Sequence, residues 1–424
     1  MTSLARRLGH DRVLLPALLV VFGSMICLRM PQIIVDGRFW CEEGNVFYRN
    51  AWFLGPGRAL FNSFGGYLNL APNAATLAAR WLLPVAYAPY LTIALGLLVQ
   101  LCPLALLLDA RDDWMKPLAV RVAAILLILF VPAVEEIWLN SLHCQFQLTL
   151  CCAIILSLES YGAMTRRSLA RYAVLLVAPL CGPGAIALLP LFALRTAMDR
   201  SAGRFWQTVF LAVGSFLQLA LFFHHEQSRS YSLDPSLLLN IFTVRHLYLP
   251  YLGIDHARIA AAAIEARRLS GHVPLKATLL PILVFGPLLV LSLRHRRTGP
   301  AFWFLTAGGL VACASYYGAI AGAETLIDAR NGGRYVFVPQ ALFSLALLAL
   351  AVNATVPALR LLWVPVIWLL CVGGYEFVHP WQFVAHGPPW RDEVDRWDQD
   401  PSYKLHVWYG SWTPVSLPAS AGSQ

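Results

Sequence analysis

The stretch "GGYLNLAPNAATLAARWLLP", Gly65–Pro84, decides how this chain threads a membrane. It is apolar enough to pass for a span, but it carries Asn69, Asn73 and Arg80 together with Pro72 and Pro84. Polar groups and helix breakers at that density are costly in hydrocarbon. Counting it as a crossing would also set "RDDWMK" (111–116) and "TRRSLAR" (165–171) in conflict over which side of the membrane is basic. We therefore read 65–84 as an interfacial or re-entrant helix.

Working outward, the rest of the chain is built for lipid. Charged residues make up 13% of its 424 residues, against roughly 25% in soluble proteins, and hydrophobic residues make up 58%. Mean hydropathy is +0.60. These values imply an all-α, polytopic integral membrane protein. A span needs about 20 apolar residues. Runs of that kind occupy 13–30, 88–108, 117–134, 144–160, 205–223, 274–293, 301–320, 334–352 and 359–376. The segment 169–196, broken by "CGPG" at 181–184, reads as two helices meeting at a tight turn. About eleven transmembrane helices result.

The formal charge of +9 reports topology rather than nucleic-acid binding. With a cytoplasmic N-terminus bearing Arg6, Arg7 and Arg12, every short basic cluster falls on one side. The reading is a multi-pass protein of the inner (cytoplasmic) membrane, with an uncleaved signal anchor and an extracytoplasmic C-terminus. Residues 1–376 form a transmembrane catalytic domain, in which 31–87 and 224–273 are the large extracytoplasmic loops. Residues 377–424 form a small tail or cap over the outer face, with Trp390, Val394 and Trp397 on one helical face. The nine cysteines show no disulfide spacing. There is no P-loop and no dinucleotide fingerprint, and the cytoplasmic loops are short, so any chemistry belongs outside.

The first outside loop opens with "DGRFWCEEGNVFYRNAW", Asp36–Trp52, which places Asp36, Glu42 and Glu43 close to lipid. Adjacent helical residues diverge by about 100°, so Glu42 and Glu43 cannot enter one cavity equally. One is functional and the other is a neighbour or hydrogen-bond partner. The plainer reading is a solvated helix start, where acids suit the helix dipole.

A membrane helix, an acid pair opening the first outside loop, and "FGGYLNLAPNAATLAARWLLP" after it together resemble the GT-C glycosyltransferase superfamily. "GGRYVFVPQALF" (332–343) resembles the Arg-Tyr start of a C-terminal span in those enzymes. The resemblance implies hexosyl or pentosyl transfer from a polyprenyl-phosphate sugar to an extracytoplasmic glycan, lipid or protein. The catalytic carboxylate would come from "WCEEGNVFYRNAW", with Glu43 the first choice and Glu42 and Asp36 behind it. The pair here is Glu-Glu rather than the commoner Asp-containing one. Acids in this position also suit a divalent cation such as Mg2+ or Mn2+, which some members use.

The remaining residues follow from the chemistry. A carboxylate deprotonates the acceptor hydroxyl, and a guanidinium holds the departing phosphate. Arg334 opens a span beside Gly332, Gly333 and Tyr335, where the glycines permit close approach of a ligand; Arg330 is the second choice. The turn "WLNSLHCQFQL" (138–148) offers Asn140, His143 and Gln145 to sugar hydroxyls, and His143 to phosphate. In the long loop, Arg245 and His246 are donor-phosphate candidates, and Arg258, Arg267 and Arg268 face membrane lipid headgroups. The alternatives are an O-antigen-type polymerase using Arg245, or a lipid or glycan transporter that makes no covalent change.

Overall fold

In the computed structural model, residues 2–223, 231, 234–294, 299–319 and 322–418 are described. The chain is all-α apart from one two-stranded hairpin. Five described helices are long and apolar enough to cross a membrane: Val85–Leu108, Pro235–Leu269, Leu275–Leu293, Gly333–Val352 and Pro357–Val378. Each of the eleven apolar segments contains a helix. Several fall short of the roughly 20 residues of a span: Leu118–Leu129, Cys144–Ser157 and, across the "CGPG" break, Arg166–Cys181 and Leu189–Asp199.

One of these short helices is enclosed by protein. The Cys144–Ser157 helix is buried along nearly its whole length, so it meets protein rather than lipid. Irregular backbone at its ends is tolerated because neighbouring helices cover it. The Gly333–Val352 helix lies beside it and is equally enclosed, and together they form the centre of the main core.

The opening stretch is not among the helices long and apolar enough to cross. Its first residues form a hairpin pairing Ser63 with Leu68 and Phe64 with Tyr67. Gly65 and Gly66 occupy the turn with φ of 64° and 85°, the left-handed pair that a two-residue hairpin loop requires. Asn69 then donates to the carbonyls of Phe64 (3.0 Å) and Tyr67 (2.9 Å), and Asn73 to those of Leu60 (3.0 Å) and Asn62 (2.8 Å). The polar side chains that argued against a span thus clamp the hairpin to the Leu70–Leu82 helix. That helix has 13 residues, about 20 Å at 1.5 Å per residue.

The expected loop 224–273 differs most from the structure. Its residues 224–230, 232 and 233 lie outside the described residues. From Pro235 to Leu269 it is one long helical stretch, interrupted by a π-type segment at Val244–Tyr248 and a break at Gly253, φ 76°. Glu376 covers the break by accepting the freed Ile254 N–H at 2.9 Å. The apolar half before Gly253 packs into a second core with Tyr316, Leu326 and Val336.

All nine cysteines are unpaired.

Candidate functional site

The segment 131–143 is the hub of the site. It is irregular backbone among helices, and side chains from elsewhere satisfy its polar groups. Arg38 donates to Trp138 O (2.6 Å) and, at 3.4 Å, to Val384 O in the tail. Gln100 donates to Ile137 O (3.1 Å) and accepts from Leu139 N–H (3.2 Å). Glu135 pairs with Arg29 at the end of the first helix (3.1 Å). Gly333 packs so closely on Ala133 O that any side chain there would clash. Gly333 therefore serves contact between backbones, and Gly332, at φ 63°, packs on the Leu326 side chain, where the sequence reading had assigned both to a ligand.

The two glutamates separate as adjacent residues must. Glu43 is fully buried. One oxygen accepts from Ser141 N–H (2.7 Å) and Ser141 Oγ (2.5 Å), and the other from Trp40 N–H (3.2 Å). Burial pushes its carboxyl up, while the bonds to Ser141 and Trp40 oppose that. It ties the first loop to the hub and does not line the cavity, so its place as first choice for the base passes to its neighbour. Both Glu43 oxygens are engaged by protein donors. Among the described residues no group of three His, Cys, Asp or Glu could hold a metal ion.

Glu42 points the other way. It is half-buried and lines a cavity of about 520 Å³ with Glu136, His143, Gln145, Arg334, Tyr335, Tyr409 and Trp412. That volume lies within the range of small-molecule sites. Burial raises the Glu42 carboxyl; the Arg334 charge pulls it down and the Glu136 charge pushes it further up.

Arg334 is held by a residue the sequence reading missed. Glu136 accepts its backbone N–H at 2.9 Å through one oxygen and its Nη1 at 2.8 Å through the other. Burial pushes the Glu136 carboxyl up, but the charge and hydrogen bonds of Arg334 outweigh it and hold it below the ordinary carboxylate range. About 30% of the Arg334 side chain stays exposed. The missed signal was a second adjacent acid pair, Glu135-Glu136, close to the first residues of the following span. Carboxylates in that position need partners, and here each has its own arginine.

His143 lines the cavity but is pushed down to about 4, first by burial, with Arg334 adding to it against the pull of Glu136. It is neutral at physiological pH, which removes it as a phosphate-binding cation. Its Nδ1 lies 2.8 Å from Glu136 O, so Nδ1 carries the proton and Nε2 is left as an acceptor.

The other expected site residues fall outside the cavity. Asn140 is fully buried; it donates to Glu136 O (2.8 Å) and Trp138 O (3.0 Å) and accepts His143 N–H (3.0 Å). Asp36 ends a short helix away from the cavity. Arg330 lies 5.5 Å over the Trp381 ring. Arg245 is buried and donates to Leu326 O (2.8 Å) and Ala329 O, and His246 bonds Gln340 (3.0 Å) and Tyr316. Arg245 closes the loop before Gly333, His246 ties the two helices that flank that loop, and neither lines the cavity.

A scan of protein-family models, a search of curated proteins and a search of solved structures each return no match for this chain.

Proposed function

We propose that this chain is a multi-pass membrane glycosyltransferase of GT-C type, transferring a hexosyl or pentosyl group from a polyprenyl-phosphate sugar to an extracytoplasmic acceptor. One observation carries the reading: Glu42 and Arg334, from opposite ends of the chain, line a single cavity. The basic clusters support an orientation with the N-terminus cytoplasmic and the cavity outside. The count of about eleven crossings belongs to the same reading.

In the reaction, the Glu42 carboxylate takes the proton of an acceptor hydroxyl. The acceptor oxygen attacks the anomeric carbon as the bond from that carbon to the phosphate oxygen breaks. The electron pair leaves on polyprenyl phosphate, whose growing charge falls to the exposed side of the Arg334 guanidinium. A single displacement inverts the anomeric carbon. Burial suits Glu42 to the task, because a raised carboxyl is a stronger base once ionised. Neutral His143 offers an acceptor and Gln145 an amide to sugar hydroxyls.

The polymerase alternative rested on Arg245, which is buried among backbone carbonyls. No observation favours a transporter.

The test is mass spectrometry of envelope glycans from cells with the gene, without it, and with Glu42→Gln. A glycan missing one sugar in the last two strains is expected. Identical glycans in all three would overturn the reading.

A further inference from the structure

The C-terminal tail does more than cover the first loop. Trp390, Val394 and Trp397 bury against Phe39 and Tyr48, and Trp390 Nε1 donates to Val85 O at 2.8 Å. The tail also pairs with the residues directly before Glu42. Trp408 N–H donates to Phe39 O (3.0 Å), and Trp408 O accepts Cys41 N–H (2.6 Å). This pairing sets the next tail residues, Tyr409 and Trp412, in the wall of the cavity that holds Glu42 and Arg334.

There they form an aromatic surface. The Tyr409 ring lies 5.6 Å from that of Trp412, 5.6 Å from Trp40 and 4.7 Å from Phe383. The Tyr409 hydroxyl is close enough to Glu42, Glu136 and Arg334 to feel all three charges. The Trp412 ring lines the cavity while its Nε1 is buried away from it. An aromatic surface in the wall of a cavity suits a sugar ring. The ring lays its C–H face on the π-system and leaves its hydroxyls to bond at the rim.

We propose that Tyr409 and Trp412 are the acceptor subsite, and that the acceptor is a glycan or glycoside whose sugar ring stacks on this pair and turns one hydroxyl toward Glu42. The inference rests on the glycosyl-transfer reading and narrows it, because a protein hydroxyl or a simple lipid alcohol has no ring face to stack.

The test uses the full chain in its own membrane. A deletion strain is complemented with wild type, Glu42→Gln, Trp412→Phe, Trp412→Ala or Tyr409→Ala, and the glycan product is measured by mass spectrometry. Detergent-purified proteins are titrated with decaprenyl phosphate alone as a check on fold and carrier site. The expected result is no product with Glu42→Gln and a roughly tenfold fall with Trp412→Ala, the effect of losing about 1.4 kcal/mol of acceptor binding. Trp412→Phe, which keeps an aromatic face but a smaller one, falls between, and decaprenyl phosphate binds all variants alike. Transfer in isolated membranes should be inhibited by a methyl glycoside of the acceptor's terminal sugar, less so in Trp412→Ala. Wild-type product from Trp412→Ala, Trp412→Phe and Tyr409→Ala, or a glycosylated protein as the product, would overturn the acceptor assignment while leaving the transfer reading intact. Unchanged glycans in the deletion strain itself would remove both.

Discussion

Glu136 grips Arg334 at two points, accepting its backbone N–H through one carboxylate oxygen and its Nη1 through the other. The double contact fixes where the helix starts as well as where the guanidinium points. A long, flexible cation is thereby pre-set for an anionic ligand, with the ordering completed on folding rather than on binding.

Glu136→Gln keeps the shape and removes the charge. Arg334 then loses its aim, and glycan product should fall by roughly 10- to 100-fold, the cost of displacing a reactive group by about 1 Å. The pair is partly open to solvent, so the stability loss should be modest, about 1–3 kcal/mol. Thermal unfolding in detergent separates the two effects. Full activity with the lower stability would mean that Glu136 is only structural.

The adjacent glutamates should behave as opposites. Glu42→Gln should abolish transfer and leave the melting temperature nearly unchanged, because Glu42 makes no hydrogen bond to another residue's side chain or backbone among those identified. Glu43→Gln places an amide where three donors converge, so it should lower stability by on the order of 2 kcal/mol and lower activity through folded yield. An inactive but normally stable Glu43→Gln, beside an active Glu42→Gln, would reverse the assignment.

The two cavity carboxylates should separate along the pH axis. Glu42 is raised by burial, so its base form is lost as pH falls through a value above the ordinary carboxylate, about 4.3. Glu136 is held lower, so the stability it contributes is present above the unfolded carboxylate value and is lost only as pH falls through its depressed folded one. The acid limb of kcat/KM should therefore lie at higher pH than acid unfolding. His143, neutral above about 4, should contribute no limb near the ordinary histidine value. An activity limb that coincides with unfolding would argue against Glu42 as base.

Arg38 joins three parts of the chain: the first loop, the hub at Trp138 O and the tail at Val384 O. It also lies between the rings of Trp40 (4.8 Å) and Trp408 (5.5 Å). Arg38→Ala should undock the tail, seen as protease cleavage within 377–418 under conditions where the wild type resists. Transfer should fall with it, since Tyr409 and Trp412 leave the cavity wall. A variant as protease-resistant as wild type would show that the core around Trp390 holds the tail alone.

Composition and periodicity alone made the chain helical and apolar, because lipid and protein interiors demand the same unbroken runs of hydrophobic residues. That the polar groups of Gly65–Pro84 would need partners nearby was legible for a local reason: Asn69 and Asn73 find them on backbone carbonyls within about a dozen residues. That one of Glu42 and Glu43 must turn away from the site also followed from helix geometry. Which of them turns away depends on Ser141, a residue about a hundred positions along the chain, and no local rule reaches that far. The same distance hid Glu136, whose meaning comes from Arg334, and hid the tail, whose aromatics matter only because Trp408 pairs with Phe39 and Cys41. Apolar runs are fixed by solvent, which every residue meets, whereas a site depends on contacts between residues that folding alone brings together.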